Sequence, residues 1–238
     1  MFPDLSGTRF ADVRFVDSID STNRALVEEA RAGAPEGAVL VAGFQSAGRG
    51  RLGRTWVAPA GSALLVSVLL RPGLPPERLH VVTMAAGVAA RAACAPAEVF
   101  VKWPNDLLGP DGRKLAGILA EAAGGAVVVG MGLNVARPSD VPDELGGRAV
   151  WLDELVAGVD RDAVLGAWLT EYDHLLSDLA SVPGAYRSAC STIGQAVRVE
   201  QPAGVLEGVA VDVDDDGHLV LDTGAVVAVG DVVHLRPA

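Results

Sequence analysis

The chain has 238 residues, of which half are hydrophobic and 21% are charged. That length allows one medium domain and one small domain, and the composition excludes a disordered chain. Because the net charge is −11, the protein lacks the basic surface that DNA binding as a main function would require.

Targeting and membrane signals are not evident. Met1–Ser6 has neither a basic nor an apolar signal region, and no apolar run reaches the length of a membrane span. Cys94 and Cys190 lie in Ala- or Ser-flanked stretches without metal-ligand spacing, which favours reduced thiols over a disulfide or a site. We therefore expect a cytoplasmic protein without a membrane partner.

The first predicted elements are a strand over Arg9–Val16 and a helix that ends at Gly33. Between them, Ser21, Thr22 and Asn23 are three consecutive polar residues. Capping of the helix requires one such side chain, whereas ligand binding would account for all three. Both interpretations stay open on local grounds.

A predicted strand over Ala38–Phe44 delivers Gln45 to a loop in which glycines and arginines alternate. Gln45 carries a donor and an acceptor on one amide, which suits a urea or another amide. Glycine lets the backbone approach a ligand, and guanidinium groups bind carboxylate and phosphate. The loop, residues 48–56, consists of Gly48, Arg49, Gly50, Arg51, Leu52, Gly53, Arg54, Thr55 and Trp56. It predicts a site for a small anion, although a solvated basic turn or a nucleic-acid patch would have the same pattern.

The next predicted elements are an apolar strand over Ser62–Leu70 and a helix over Glu77–Cys94. A short strand then leads into the motif Lys-Trp-Pro-Asn-Asp at residues 102–106, where the proline ends the strand. A turn at residues 109–112 returns the chain as a strand that begins at Lys114. Residues 126–134 return again and end at Asn134. We expect Lys114 and Asn134 to meet on adjacent antiparallel strands; the alternative is an edge lysine beside a turn asparagine.

Lysine and asparagine are rare in this chain. The 19 basic residues comprise 17 arginines and two lysines, and there are three asparagines. A lysine ammonium is a compact point charge and a guanidinium is a planar fork, so a site can require one and reject the other. The rare residues all lie in short polar motifs, at Asn23, Lys102, Asn105, Lys114 and Asn134. They are therefore candidate site residues.

The hydrophobic pattern of the sequence changes in the C-terminal part of the chain. Helical spacing of apolar residues from 160 to 179 predicts a core helix in which Trp168 and Tyr172 need no cofactor. Residues 181–191 are expected to join two domains. Short β-branched runs between turns from Thr192 to Leu235 predict a small antiparallel barrel. Asp214–Gly217 resembles a calcium loop superficially, but a hairpin turn is the preferred interpretation because further ligands and flanking helices are lacking.

Taken together, the polar motifs resemble those of biotin protein ligases in order and spacing. They are Ser21-Thr22-Asn23, Gln45 with the loop at residues 48–56, residues 102–106, residues 114–119 and residues 132–134. The resemblance is strong from Val13 to Val135, and the tail is similar to the family's C-terminal barrel. It implies an α/β fold, with a mixed, largely antiparallel catalytic sheet related to class II aminoacyl-tRNA synthetases over residues 1–188. A small all-β barrel over residues 189–238 would follow.

The resemblance implies a two-step ligase. Biotin and ATP with Mg²⁺ would give biotinyl-5′-adenylate and pyrophosphate. A lysine in the biotin carrier domain of an acyl-CoA or pyruvate carboxylase would then take the biotinyl group. A monomer or weak homodimer without a DNA partner is expected. Some family members carry an N-terminal DNA-binding domain, but only about fifteen residues precede the first motif strand, so a repressor role is not expected.

The resemblance also implies which residues contact the substrates. Biotin would contact Ser21, Thr22, Asn23, Gln45, Gly48, Arg49, Gly50, Arg51, Lys114 and Gly117. ATP would contact Arg51, Arg54, Trp56, Lys102, Asn105, Asp106 and Asn134. Arg51 and Lys114 would be catalytic, because joining a carboxylate to a polyphosphate requires fixed positive charge where negative charge develops. No direct metal ligand is certain; Mg²⁺ would arrive on the ATP phosphates, with Asp106 as its candidate ligand. Trp56 and Trp151 are both candidates for stacking on adenine.

Two rival functions remain. One is a lipoate or octanoate ligase or transferase of the same superfamily, and the other is a non-catalytic biotin-binding regulator. The polar residues Ser21, Thr22 and Gln45 favour a ureido ring over a plain acyl chain. Positive charge at Arg51, Lys102 and Lys114 favours catalysis over regulation alone.

Overall fold

The computed structural model describes residues 4–201 and 204–235. The first three residues, where no signal peptide is predicted, and the last three, which end the predicted C-terminal domain, lie outside the described residues. Within the described ranges the chain forms two sheets and five α-helices. No helix in these ranges combines the length and apolar character needed to cross a bilayer.

The larger sheet has seven strands. They are β1 (Asp12–Val16), β2 (Ala38–Ala42), β3 (Ala63–Leu70), β4 (Phe100–Lys102), β5 (Asp106–Leu108), β6 (Lys114–Ala123) and β7 (Ala126–Asn134). Their order is β1-β2-β3-β7-β6-β5-β4. Only the β1–β2 pair is parallel among these described strands, and the other five pairs are antiparallel. This confirms the predicted mixed, largely antiparallel sheet.

Helices cover both faces of this sheet. They are α1 (Thr22–Arg31), α2 (His80–Ala93), α3 (Leu152–Leu155), α4 (Arg161–Ser177) and α5 (Val182–Ala189). Leu26, Val27 and Ala30 of α1 pack on one face, whereas α2 and α4 pack on the other. Because β3 is covered on both sides, all eight of its residues are buried. The continuous apolar run in the sequence follows from this double burial.

Helix α4 provides the core that the sequence predicts. Trp168 and Tyr172 are both fully buried. Trp168 Nε1 donates to Ala86 O at 3.2 Å, and the Tyr172 hydroxyl donates to Val82 O at 2.8 Å. Each polar tip is thus satisfied by a carbonyl of α2, as buried Trp and Tyr require, and neither side chain needs a cofactor.

The second sheet is antiparallel and formed by the C-terminal strands. They are β8 (Ala196–Gln201), β9 (Gly204–Val213), β10 (Leu219–Leu221), β11 (Val226–Val227) and β12 (Asp231–His234). The predicted all-β character is confirmed, and the ladders place β11 and β12 at the two edges. Asp214 Oδ1 accepts from the backbone N–H groups of Asp216 and His218 at 3.0 and 2.8 Å, which makes the predicted hairpin turn. The domain boundary at residues 188/189 stays a prediction.

Several predicted boundaries differ from the structure. The first strand begins at Asp12, because Arg9 is drawn away into ion pairs with Glu36 and Asp173 at 3.1 and 2.6 Å. The predicted helix over Glu77–Cys94 is divided into a 3₁₀ turn at 76–78 and α2. The predicted linker at 181–191 contains α5, whose buried residues pack into the main core.

Candidate active site

A cavity of about 130 Å³ opens over the larger sheet where β3, β6 and β7 lie side by side. The N-terminus of α1, the loop at residues 48–56 and Asp231 of the second sheet complete its walls. Most of the predicted site residues line it. They are Ser21, Thr22, Asn23, Gln45, Arg49, Gly50, Arg51, Arg54, Trp56, Asn105, Asp106, Lys114 and Gly117. The fold therefore brings together motifs that are up to 96 residues apart (21 to 117).

One end of the cavity is neutral and polar. Ser21 is the N-cap of α1, and its side chain accepts from Arg24 N at 3.4 Å. Gln45 Oε1 accepts from Thr22 N at 2.6 Å and from Thr22 Oγ1 at 3.0 Å. The capping and ligand-binding interpretations are thus compatible, because the cap residue and the residues that follow it all line the cavity.

The loop at residues 48–56 has a defined backbone conformation. Gly50 N donates to Arg54 O at 2.7 Å, and Trp56 N donates to Gly48 O at 3.0 Å. A Cβ added at Gly48 would lie 2.5 Å from Trp56 O, so a side chain there would break this closure. Gly48 consequently serves the loop backbone and does not line the cavity.

Trp56 is placed inside the cavity by two glycines of the sheet. A Cβ at Gly132 would lie 2.4 Å from Trp56 Cε2, and one at Gly117 would lie 3.0 Å from Cζ3. The indole therefore packs directly on the backbone of β6 and β7, with the Lys114 ammonium 5.6 Å from the ring centroid. Trp56 Nε1 is buried and has no hydrogen-bond partner among the described residues.

Trp151, the other candidate for adenine stacking, lies elsewhere. It does not line the cavity, and only 1% of it is exposed. The Arg137 guanidinium lies 5.4 Å from its ring centroid. An aromatic face for a flat ligand in the cavity is thus available at Trp56 and not at Trp151.

The cations at the other end of the cavity are paired with acidic or amide groups of the protein. Lys114 Nζ lies 2.7 Å from Asp106 Oδ1, and Arg54 pairs with Asp231. Arg51 Nη1 donates to Asn105 Oδ1 at 3.2 Å. An incoming anion would therefore exchange with existing partners of these cations. Such exchange makes binding depend on a ligand with at least as much negative charge as the groups it replaces.

Arg51 is the most enclosed cation of the loop. Its Nη2 group donates to Gly230 O at 3.3 Å, and Gly230 directly precedes β12 of the second sheet. Burial lowers the pKa of the Arg51 guanidinium from its ordinary value, while Asp231 and Asp106 act in the opposite direction. A guanidinium nevertheless remains charged at neutral pH. Arg51 thus provides a fixed positive charge in a partly desolvated position.

Lys102 and Asn134 do not line the cavity. Lys102 ends β4, and burial together with the Lys102 charge lowers the pKa of His234. Asn134 Nδ2 donates to the carbonyls of Lys114 and Val150 at 3.4 and 3.2 Å. The predicted meeting of Lys114 and Asn134 is therefore confirmed, and it fixes the backbone from which the Lys114 side chain extends.

Sequence reasoning missed several residues around the cavity. Ser67, Gly130 and Asp231 line it, and Glu121 lies just outside. The sequence could have indicated Ser67, since it is the only polar residue in Ala63–Leu70. It could not have indicated Asp231, because the approach of Asp231 depends on how the second sheet packs beside the loop.

No cluster of three or more His, Cys, Asp or Glu side chains that could hold a metal ion occurs within residues 4–201 and 204–235. Asp106, the candidate Mg²⁺ ligand, is engaged by Lys114. A direct protein ligand to Mg²⁺ therefore stays a prediction.

Comparisons with known proteins agree on one family. Residues 15–136 match the biotin/lipoate A/B protein ligase family, and residues 192–235 match the biotin protein ligase C-terminal domain. The chain is 42% identical to a biotin–[acetyl-CoA-carboxylase] ligase of Mycobacterium tuberculosis, over 97% of this chain and 91% of that protein. It is 33% identical to the bifunctional ligase/repressor BirA of Bacillus subtilis, over 87% of this chain and 68% of that protein.

Among solved structures, the chain is similar to the biotin protein ligase of Aquifex aeolicus in complex with biotin and ATP. The TM-score is 0.83 at 27% sequence identity, and the match covers 96% of this chain and all of that chain. A point mutant of the same ligase in complex with biotin gives a TM-score of 0.82 at 26% identity, over 96% and 100% of the two chains.

Proposed function

This chain belongs to the biotin/lipoate A/B protein ligase family, and we propose that its cavity binds biotin and ATP and joins them. The protein is a biotin–protein ligase. In the first step the biotin carboxylate attacks the α-phosphorus of ATP, which gives biotinyl-5′-adenylate and releases pyrophosphate. In the second step a lysine amine of an acceptor protein attacks the biotinyl carbonyl, and AMP leaves.

The observation that carries this proposal is the division of the cavity into a polar end and a cationic end. Thr22 and Gln45 lie at the polar end, whereas Arg51 and Lys114 lie at the cationic end. Biotin has the matching division, since its ureido ring is neutral and its valeryl chain ends in a carboxylate. The carboxylate would thus be brought to the cations where it meets ATP.

The cationic end supports the chemistry of the first step. Negative charge increases on the α-phosphate and its oxygens as the carboxylate attacks, so preorganised positive charge stabilises the transition state. We assign this role to Lys114 and Arg51. Their pairing with Asp106 and Asn105 holds both side chains in place before the anions arrive. Mg²⁺ would arrive on the phosphates and neutralise their remaining charge.

Trp56 is proposed to stack on adenine. Its ring lies against the glycine backbone of β6 and β7 within the cavity, and an indole face binds a flat base by stacking. Arg54, Asn105 and Asp106 would complete the nucleotide end. Gly48 and Asn134 would act through the loop and strand backbone, and we assign Lys102 no direct contact.

The acceptor is proposed to be the biotin carrier domain of an acyl-CoA or pyruvate carboxylase. Support comes from the Mycobacterium tuberculosis relative, whose name specifies acetyl-CoA carboxylase. A cytoplasmic location is part of the same proposal. The expected oligomeric state, a monomer or weak homodimer, is part of the same proposal.

The rival substrates are lipoate and octanoate. The polar side chains of Thr22 and Gln45, which are hydrogen-bonded to each other, favour biotin. A dithiolane ring or a plain acyl chain has no N–H group that could donate to their oxygens. A purely regulatory role is disfavoured by the cations beside the cavity.

The deciding experiment is incubation of the purified protein with MgATP, a biotin carrier domain and either biotin or lipoate, read by intact mass. A mass increase of the carrier by one biotinyl group, dependent on ATP, is expected with biotin only. Labelling with lipoate instead, or no labelling with an active carrier, would overturn the proposal. Adenylate formation is also measured without the carrier, with pyrophosphate release as the signal. This measurement separates failure of the first step from failure of the second.

A further inference from the structure

A continuous chain of hydrogen-bonded side chains runs along one wall of the cavity and ends just outside it. It begins at Gln45, passes through Thr22, Ser67 and Asn23, and ends at Glu121. Glu121 does not line the cavity. The successive contacts measure 3.0, 2.7, 2.6 and 2.9 Å. A charged group that would not touch the ligand is thus connected to two residues that would.

Glu121 and the backbone carbonyl of Leu119 together fix the direction of this chain, and the Glu121 contact is the shorter of the two. Asn23 Nδ2 lies 2.9 Å from Glu121 Oε2 and 3.2 Å from Leu119 O. A carboxylate and a backbone carbonyl can only accept, so the Asn23 amide must turn its NH₂ group toward β6. Its oxygen then faces Ser67, and the Ser67 hydroxyl is obliged to donate to it at 2.6 Å.

The direction of the Ser67 hydrogen bond also determines which hydroxyl donates between Ser67 and Thr22. Because the Ser67 proton is committed to Asn23, only Thr22 can donate in the 2.7 Å contact between the two hydroxyls. Thr22 Oγ1 has one proton but two acceptors, Ser67 Oγ and Gln45 Oε1. Gln45 Oε1 already accepts from Thr22 N at 2.6 Å, so the cavity end of the chain has spare acceptor capacity on Thr22 Oγ1 and Gln45 Oε1 but no spare hydroxyl proton. Thr22 and Gln45 present acceptor oxygens there, which a ligand N–H group would satisfy.

Packing leaves the chain no freedom to rearrange. Ser67 is fully buried, and Asn23 is only 4% exposed. A Cβ at Gly130 would lie 2.0 Å from Asn23 Oδ1 and 3.0 Å from Ser67 Oγ. The Asn23 amide thus lies directly against the bare backbone of β7. Buried polar groups in such a position must keep the hydrogen bonds they have.

We propose that Glu121 is a positioning residue for biotin recognition, which sets the hydrogen-bond polarity of the ring end through Asn23, Ser67 and Thr22. This inference rests on the proposed function, since it takes the ureido N–H groups of biotin as the donors that the chain lacks. Glu121 has a second contact, an ion pair with Arg49 of the loop at 2.9 Å. The two routes, through the buried chain and through the loop, are separable by experiment.

The test uses Glu121→Gln, which keeps the size of the side chain but replaces the fixed acceptor by an amide that can also donate. Loss of one hydrogen bond that involves a charged group corresponds to about a tenfold or greater loss of affinity. We expect a rise of about tenfold in the Kd for biotin, measured by calorimetry, with little change in the KM for ATP. Glu28→Gln, on the exposed side of α1, is the matched control and should leave both values unchanged.

Double variants decide which route acts. Ser67→Ala interrupts the buried chain, so Glu121→Gln should add less than about twofold to the Kd of that variant. In an Arg49→Ala background, Glu121→Gln should keep its tenfold effect. An unchanged Kd in Glu121→Gln, or an effect that disappears with Arg49→Ala and persists with Ser67→Ala, would overturn the inference.

A spectroscopic measurement keeps the test independent of the stability of Ser67→Ala. The chain has three asparagines and three glutamines, so the side-chain amide signals are few enough to assign. The Asn23 signals should shift in Glu121→Gln, and unmoved signals would contradict the inference. Biotin binding and adenylate formation by the wild-type protein are measured first. Their failure would refute the proposed function, whereas their success without a Glu121→Gln effect would refute only this inference.

Discussion

Lys114→Ala should separate catalysis from stability. The Lys114 side chain is 39% exposed, and its ammonium contacts Asp106 at 2.7 Å and faces Trp56 at 5.6 Å. A partly exposed ion pair contributes at most about 1 kcal/mol to folding, and an exposed cation–π contact contributes about 0.5–1 kcal/mol. Loss of one preorganised donor at a developing negative charge lowers the rate by about 10²–10³, or roughly 3–4 kcal/mol of transition-state stabilisation. The catalytic loss should thus exceed the loss of stability.

The assay is single-turnover adenylate formation at saturating biotin and ATP, with thermal melting as the control for folding. Lys114→Arg should recover part of the rate at most, since a planar fork does not replace a compact ammonium between two anions. Asp106→Asn combined with Lys114→Ala tests another explanation of the loss. If the carboxylate left unpaired by Lys114→Ala repels the substrates, this double variant will recover activity.

Two outcomes would refute the assignment of Lys114. Adenylate formation at a near wild-type rate in Lys114→Ala would make Lys114 a structural residue at the edge of the cavity. Full recovery in the double variant would mean that Lys114 acts only by neutralising Asp106. Retention of the loss of about 10²–10³ in both variants is the expected result, because the cation itself is then missing from the transition state.

Three further predictions follow from the packing and charges. Gly132→Ala should displace Trp56, because the new Cβ would lie 2.4 Å from the indole; we expect about tenfold weaker ATP binding, and unchanged binding would remove Trp56 from adenine stacking. Asp231→Asn should release Arg54 and speed amide hydrogen exchange in the loop at residues 48–56, while the free energy of unfolding changes by less than about 1 kcal/mol. Equal exchange rates in the variant and the wild-type protein would contradict this. Burial, His218 and Arg51 lower the pKa of His80 below 6.5, so the unfolded state binds more protons and stability should fall as pH drops through 6.5. A His80→Asn variant with an unchanged pH dependence of melting would contradict this.

Much of the site could be predicted because its residues lie in short motifs. Ser21, Thr22 and Gln45 interrupt apolar patterns, and Arg51 lies in a loop whose glycines already indicate close backbone approach. Lys114 was identifiable as one of two lysines among 19 basic residues. Each of these signals is local, and each points to chemistry that the surrounding core does not need.

Other assignments were not available from local patterns. Trp56 and Trp151 look equivalent in the sequence, and the fold places one in the cavity and buries the other just before α3. Lys102 and Asn134 belong to the motifs but do not line the cavity. The Asn134 amide is held by the backbone carbonyls of Lys114 and Val150, which lie far from it in sequence. The sequence predicts a linker where α5 lies, since eight residues are too few for a periodic pattern to be decisive.

The sequence by itself determined the order of elements, the covered sheet and the family, because these depend on hydrophobic periodicity and on motifs within one segment. Only the tertiary structure decided which carboxylate pairs with which cation and how the Glu121 chain is directed. Asp231 meets Arg54 across 177 positions, and Glu121 meets Asn23 across 98. Such contacts depend on the packing of whole sheets and helices, and hydrogen-bond direction depends on every neighbour of a buried group. Neither the ion-pair partners nor the hydrogen-bond directions can therefore be predicted from residues that are near in sequence.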